Sequence, residues 1–371
     1  MHIVLFFTFD ISLKKWKESG LLDREIKIYE KILKEENIKF TFVTYGNDED
    51  KQIDNVPKEI KIIPAYELIK YSDIKLFRFI KSFALPFKLK KELLEGDILK
   101  TNQLQGAWVP ILLKIISRKK LIIRTGFDAY TFAKKEKKSL IVKIAYYLLT
   151  QLSLFFSNIY TVTSMQDKQN IEKSFYLSKK VEIRPNWVYL NKDLKNNKRH
   201  ENKILSVGRL EEQKNYEYLI KSLKGSDFTL DIVGKGSLEN KLITLAKKYS
   251  VNLNLLGRLD NNELIALYPK YKFFVITSLY EGNPKAVLEA MAAGCIVFGS
   301  RIPSIEEIIT HEKNGLLFSI EELNLLTLIN KWKNKEKELE VLSINASNSI
   351  KEKNSLQSLV ESEINDYKRL I

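Results

Sequence analysis

A single cysteine, Cys295, among 371 residues leaves no intramolecular disulfide to staple the chain. A disulfide-built exported scaffold is therefore excluded, and a reducing cytoplasm is the expected compartment. Histidine is nearly as scarce: His2, His200 and His311 are far apart in sequence, and no H-E-x-x-H, G-x-S-x-G or Walker pattern occurs. Neither a metal centre nor an activated serine is signalled. No basic run, apolar stretch and small-residue cleavage site opens the chain. Residues 1–9 read as a buried strand, and the mature chain is expected to begin at Met1. Long apolar runs are few as well. The longest uncharged stretch, residues 144–166, has the length of a membrane span but contains Gln151, Ser153, Ser157 and Asn158, and is read as a buried helix followed by a strand.

What remains is an ordinary folding composition, 44% hydrophobic and 29% charged, in a chain too long for one small core. The formal charge of +15 is uneven: residues 1–190 hold 34 Lys/Arg against 22 Asp/Glu, the remainder 27 against 24. Residues 74–91 contain Lys75, Arg78, Lys81, Lys88, Lys90 and Lys91 with no acid, interleaved with Leu76, Phe77, Phe79, Phe83, Leu85 and Phe87. Such a segment can lay its aromatic side on a bilayer while its cations meet anionic headgroups, so an anionic membrane surface is a candidate partner; a solvated lysine-rich face fits the same residues. No zinc-finger spacing or RNA-binding signature accompanies the charge, and no nucleic-acid partner is expected. Nothing in the pattern sets the oligomeric state.

Strand-like runs at residues 2–7, 39–44, 59–64, 97–101, 120–124, 159–163 and 180–184 alternate with helical patterns, the grammar of βα units on a parallel sheet. A polar, asparagine-rich stretch follows, and the alternation restarts at Lys203. The expected division is an amino-terminal Rossmann-like domain over 1–190, a linker over 191–202, a second Rossmann-like domain over 203–356, and a terminal helix over 357–371. In the second half, successive strands end at Gly208, Gly234 and Gly257, and a fourth at 277–282. Ligands of open α/β sheets bind at such carboxyl ends.

The densest chemical signal is Glu281-Gly282-Asn283-Pro284-Lys285-Ala286-Val287-Leu288-Glu289. Pro284 fits a first helical turn, and the amides of Asn283, Lys285 and Ala286 then make a cradle for phosphate with a favourable dipole. Glu289 can accept from two vicinal ribose hydroxyls, and Glu281 can take another part of the same ligand. A second set, Gly208-Arg209 with Lys214, offers close backbone approach, a guanidinium fork and a mobile ammonium to two phosphates. Their charge would stabilise a departing diphosphate. Gly234-Lys235-Gly236 fits a close approach beside a ligand or a plain tight turn. Arg258 and Leu259 can flank a flat base.

In this order and spacing, Val207-Gly208-Arg209 with Lys214, Val233 to Gly236, Gly257-Arg258, residues 281–294 and Asn314-Gly315-Leu316-Leu317 resemble the retaining GT-B glycosyltransferases of family 4. The resemblance implies two facing Rossmann-like domains with a ligand cleft between them. It also implies a nucleoside-diphosphate-sugar donor, UDP or GDP, a saccharide or lipid-linked saccharide acceptor, and no required metal or cofactor. It places the diphosphate on Arg209, Lys214 and the amides near Asn283 to Ala286, ribose on Glu289, the donor sugar on Glu281, and the base by Arg258 and Leu259. It implies a terminal helix that crosses back to the first domain. The amino half departs from the pattern. Gly20 alone stands where the first loop carries adjacent glycines, and Arg124-Thr125-Gly126-Phe127-Asp128 occupies the place of a histidine segment. Arg124 and Asp128 are the catalytic candidates of that half, with a helix cap or salt bridge as the alternative for either. A nucleotide-sugar hydrolase or epimerase, or a non-catalytic nucleotide-sugar binder, would use the same donor site.

Overall fold

The computed structural model describes residues 1–93, 95–176, 181–188, 199–322 and 324–371. Two compact units result: Met1–Arg184 with Leu359–Ile371, and Pro185–Ser358. Of the expected linker, residues 191–198 lie outside the described residues, as does the side chain of Lys91. Residues 200–202 are already strand, because His200 is paired with Tyr271 in the second sheet. Charge at the start of a strand does not prevent pairing when the side chains reach solvent.

The first unit holds seven parallel strands: β1 (His2–Phe6), β2 (Lys39–Thr44), β3 (Lys61–Pro64), β4 (Ile98–Thr101), β5 (Lys120–Arg124), β6 (Ile159–Val162) and β7 (Val181–Ile183), in the order β3-β2-β1-β4-β5-β6-β7. The central β1, HIVLF, is almost wholly buried, as expected of a parallel strand covered on both faces. Tyr367 of the terminal helix Leu356–Lys368 is fully buried and accepts from Lys100 Nζ on β4 at 3.0 Å, and Lys100 also pairs with Glu363.

One burial expectation fails in this unit. The helix Leu140–Phe156 forms where the sequence placed it, but it is not buried. Thr150, Ser153 and Leu154 face inward, whereas Ile141, Ile144, Leu148, Leu152 and Phe155 are exposed. Apolar composition signalled a helix correctly; it could not tell which side of that helix the sheet would take.

The second unit is built from β8 (His200–Val207), β9 (Thr229–Val233), β10 (Asn252–Gly257), β11 (Tyr271–Ile276), β12 (Ile296–Ser300) and β13 (Leu316–Phe318), all parallel, in the order β10-β9-β8-β11-β12-β13. The chain winds from β8 toward one edge, then returns to lay β11 on the other side of β8. The two central strands therefore diverge at their carboxyl ends, and that switch point is where a crevice opens in such sheets.

Candidate functional site at the switch point of the second sheet

The β8 and β9 ends are sewn together by backbone. Gly208 N donates to Val233 O at 2.9 Å and Leu210 N to Lys235 O at 3.1 Å. Gly234 has φ 152°, and a Cβ there would lie 1.9 Å from Gly208 O; one at Gly236 would lie 2.4 Å from Leu210 O. Both glycines are thus required by the approach of two chain segments. The structure thus adds a third reason for glycine at these two positions, close packing of the β8 and β9 loops, beside the ligand approach and the tight turn that the sequence allows. Gly208 is also closely hemmed, since a Cβ would meet Lys214 Cε at 2.9 Å.

From β8 the chain runs through Arg209, which is exposed, to a 3-10 turn, Glu212–Lys214, ended by Asn215 at φ 51°. From β11 it runs through Thr277 to the helix Lys285–Ala292. The two segments are joined directly. Thr277 Oγ1 donates to Lys214 O at 2.8 Å, and Leu279 N to Gln213 O at 2.9 Å. Lys214 Nζ forms an ion pair with Glu281 Oε1, which also accepts from Ser278 Oγ at 2.6 Å. The side chains of Lys214 and Glu281 are 15% and 8% exposed, so the pair sits just beneath the surface. Lys214 and Glu281, expected on different parts of one ligand, are therefore each other's partners here.

Gln213, which the sequence reading passed over, ties the cluster together. Its Nε2 donates to Tyr280 O at 2.8 Å and lies 3.4 Å from Glu281 Oε2, while Arg209 donates to its Oε1 at 3.4 Å. Its position between Arg209 and Lys214 was the available signal. Asn283 is held differently: its Oδ1 accepts from Asn186 N at 2.9 Å and its carbonyl from Asn186 Nδ2 at 2.7 Å, and Asn186 O accepts from Asn354 Nδ2 at 2.7 Å. No local spacing reveals contacts across such sequence separations.

Pro284 is the N-cap residue, one position earlier than the first-turn place expected for it, and no side chain caps the helix start. A first helical turn has amides with no carbonyl of its own helix to receive them, together with the positive end of the dipole. Lys285 and Ala286 occupy that turn. Farther along, Glu289 is buried and accepts from the Tyr268 hydroxyl at 2.9 Å. Burial first, and the Glu289 carboxylate second, push the Tyr268 hydroxyl far above its ordinary range, so it is a fixed donor. Arg258 and Leu259 follow the edge strand β10, which β9 separates from β8. Two strand spacings put that end about 10 Å from the end of β8.

The amino-unit candidates belong to other arrangements. Gly20, at φ 66°, closes the helix Leu13–Glu18: its N donates to Lys17 O at 3.0 Å and Leu21 N to Trp16 O at 2.9 Å, a Schellman stop. It is not part of the loop after β1, as the sequence reading expected. Asp128 caps the helix Ala129–Lys135, its Oδ1 accepting from Tyr130 N at 3.1 Å and Thr131 N at 3.2 Å. Burial raises its carboxyl above the usual range despite those amides. Arg124 ends β5 two residues beyond Ile122, which pairs with Lys100, so its side chain is on the Lys100 face of the sheet.

Comparison with known proteins gives similarities to part of the chain and to its fold. Residues 191–349 match the family model described as glycosyl transferases group 1. An uncharacterized glycosyltransferase of Haemophilus influenzae is 36% identical over 126 residues, 32% of this chain and 35% of that protein, so the chain aligns with about a third of this relative's length. The UDP-Gal:alpha-D-GlcNAc-diphosphoundecaprenol alpha-1,3-galactosyltransferase of Escherichia coli is 28% identical over 303 residues, 75% of this chain and 76% of that one. Among solved structures, sucrose-phosphate synthase of Thermosynechococcus elongatus superimposes with a TM-score of 0.81 at 15% identity, covering 100% of this chain and 99% of its own, a likeness of fold. The switch-point cluster thus lies inside the segment that matches the glycosyl transferases group 1 model, in a chain whose fold is of the GT-B kind.

Proposed function

We propose that the protein moves a sugar from a nucleoside-diphosphate-sugar, with UDP or GDP as the nucleotide, to a hydroxyl of a saccharide or lipid-linked saccharide in surface glycan assembly, with retention at the anomeric carbon. The observation that carries the reading is the convergence of Arg209, Lys214 and the uncapped start of the helix Lys285–Ala292 on the ends of two adjacent strands. Two cations and a helix amino terminus following adjacent strand ends suit a diphosphate better than any neutral ligand. The kinship with a transferase named for UDP-Gal and a diphosphoundecaprenol-linked acceptor supports the donor and acceptor classes.

In this mechanism the bond between the anomeric carbon and the diphosphate oxygen breaks first, and negative charge gathers on the phosphates. Arg209, Lys214 and the amides of Lys285 and Ala286 stabilise that charge where it develops. The acceptor hydroxyl then adds to the same face of the oxocarbenium-like sugar, and its proton passes to the leaving phosphate. Glu289 holds ribose hydroxyls from its fixed, buried position, Glu281 orients Lys214 and the donor sugar, and Arg258 with Leu259 borders the base. The reading requires no metal, because the cations supply the charge. Cytoplasmic work at the inner face of a membrane is part of it; among the described residues no helix is long and apolar enough to cross one.

The test is transfer detected by mass from a panel of nucleotide-sugars to lipid-extracted acceptors. Arg209→Ala and Lys214→Ala should each lower kcat/KM by about a hundredfold, the scale of removing one charge-stabilising donor. Unaltered kinetics in both variants would overturn the phosphate assignment, and release of free sugar without an acceptor product would favour a hydrolase.

A further inference from the structure

The helix Leu140–Phe156 is turned inside out. Ile141, Ile144, Leu148, Leu152 and Phe155 recur at three- and four-residue spacing, and all lie on its exposed side, Ile141 at 81%, Leu148 at 54% and Phe155 at 59%. A continuous apolar stripe on the outside of a water-facing helix has a partner in its working state. It has company on its own layer. The helix packs beside Trp108–Ser117, which packs beside Leu85–Glu92. The Trp108 ring meets Phe79 of the helix Lys75–Ser82 at 4.9 Å. On that flank Leu76, Phe77, Ile80 and Phe87 are exposed, Phe87 at 67%. The outer side of one helical layer thus presents two apolar strips.

Cations border both. Lys75, Lys88 and Lys90 are exposed along the first strip, and Lys137 and Lys138 stand just ahead of Leu140, with Glu136 beside Lys138 at 3.4 Å. Arg78, which the sequence groups with these lysines, points elsewhere: its guanidinium grips Asp10 through two bonds of 2.8 Å and also donates to the carbonyls of Ser72 and Asp73. That ion pair fixes the root of the helix Lys75–Ser82 to the loop after β1, so the helix is a rigid support for its exposed side chains.

We infer that this layer docks the protein on an anionic lipid surface, with the Leu140–Phe156 stripe and the Leu76–Phe87 flank entering the interface and the bordering lysines meeting lipid phosphates. A bilayer satisfies both features at once: hydrocarbon takes the apolar strips and headgroups neutralise the lysines. A second copy of the chain would not, since an isologous contact brings each lysine border close to its own like charge. The inference deepens the proposed function by naming where a lipid-borne acceptor is met, and rests on that reading for this consequence alone.

The experiment is cosedimentation of the full chain with vesicles of phosphatidylglycerol and phosphatidylcholine, and with phosphatidylcholine alone. The parent should bind the anionic vesicles and be released by salt. The exposed double substitution Leu148→Glu with Leu152→Glu should weaken binding about tenfold by placing carboxylates in the interface. Lys75→Ala with Lys88→Ala and Lys90→Ala should weaken it by a similar factor on anionic vesicles only. Thermal melts and UDP titration establish that the variants are folded. Absence of binding by the parent, undiminished binding by both variants, or a parent dimer that the leucine substitutions split into monomers would each overturn the inference. Failure of every form to bind any nucleotide would sink the donor reading and leave the docking surface standing.

Discussion

Lys214 and Glu281 make one unit, and that changes what each substitution should do. The carboxylate holds the ammonium beneath the surface, with Ser278 and Gln213 completing its hydrogen bonds. Glu281→Gln removes the charge but keeps the shape, so Lys214 is released to a diphosphate. On the proposed reading, UDP should bind as tightly as before or about threefold tighter, the scale of an ion pair lost near the surface, while turnover falls at least about tenfold through loss of the proposed Glu281 contact with the donor sugar. Calorimetric titration beside steady-state kinetics separates the two effects. Weaker UDP binding with unchanged turnover would contradict the assignment.

Asp10 offers a pH test at the same scale. Burial raises its carboxyl, but the hydrogen bonds from Arg78 and Tyr66 prevail and hold it below the usual carboxylate range. A carboxylate depressed on folding adds stability above its unfolded pKa, and that stability is lost as pH falls through the folded value. Arg78→Ala should therefore cost about 2 kcal/mol at neutral pH, the worth of a charge-assisted pair of hydrogen bonds. The difference from the parent should narrow as pH falls through the depressed folded value, where Asp10 takes up its proton in the parent as well. Urea melts at the two conditions measure it, and a gap independent of pH would show that the pair carries no charge-linked stability.

Among the elements, strands were the most legible. Apolar runs ending at Gly208 and Gly234 located the buried end of β8 and β9, because a parallel strand covered on both faces admits few polar residues, while the edge strand β10 was located by its Asn/Leu alternation ending at Gly257. The segments that follow β8 and β11 were legible for a related reason: glycine, proline and charge stand at fixed offsets from strand ends. Burial of the helix Leu140–Phe156 was not, since its stripe is equally regular whether it meets a sheet or the outside. The Gln213 bridge and the Asn186–Asn283–Asn354 chain were hidden too, being contacts that only the assembled sheet creates. Gly20 misled because a glycine near a helix can as well end one as begin another. At this scale Gly234→Ala is the informative change. With φ at 152° and a Cβ placed 1.9 Å from Gly208 O, the β8 and β9 loops would have to separate. Strain of about 1–3 kcal/mol is expected, with a lower melting temperature and weakened nucleotide binding together. A variant that melts and binds like the parent would show that the loops are not held at this distance.

The whole molecule is divided unequally in its charge and in the way its ends are tied. The last helix, Leu356–Lys368, starts in the second unit, yet from Leu359 onward it is built into the first. Its anchor is buried: Lys100, 1% exposed on β4, meets Glu363, 5% exposed, and both touch the hydroxyl of Tyr367. An ion pair taken wholly from water gains little net stability, but breaking one half of it strands the other. Glu363→Ala should therefore destabilise the first unit by about 3–5 kcal/mol by leaving the Lys100 ammonium unpaired under the helix. Replacing both charges, Lys100→Met with Glu363→Leu, should recover most of that loss, because apolar side chains of similar size fill the same space without a desolvated charge. Urea unfolding of the parent, the single and the double variant, followed by hydrogen exchange in β4, distinguishes this from simple loss of packing. Under packing alone the double variant would be no better than the single one, and the terminal helix would then be held by its apolar face instead of its charges.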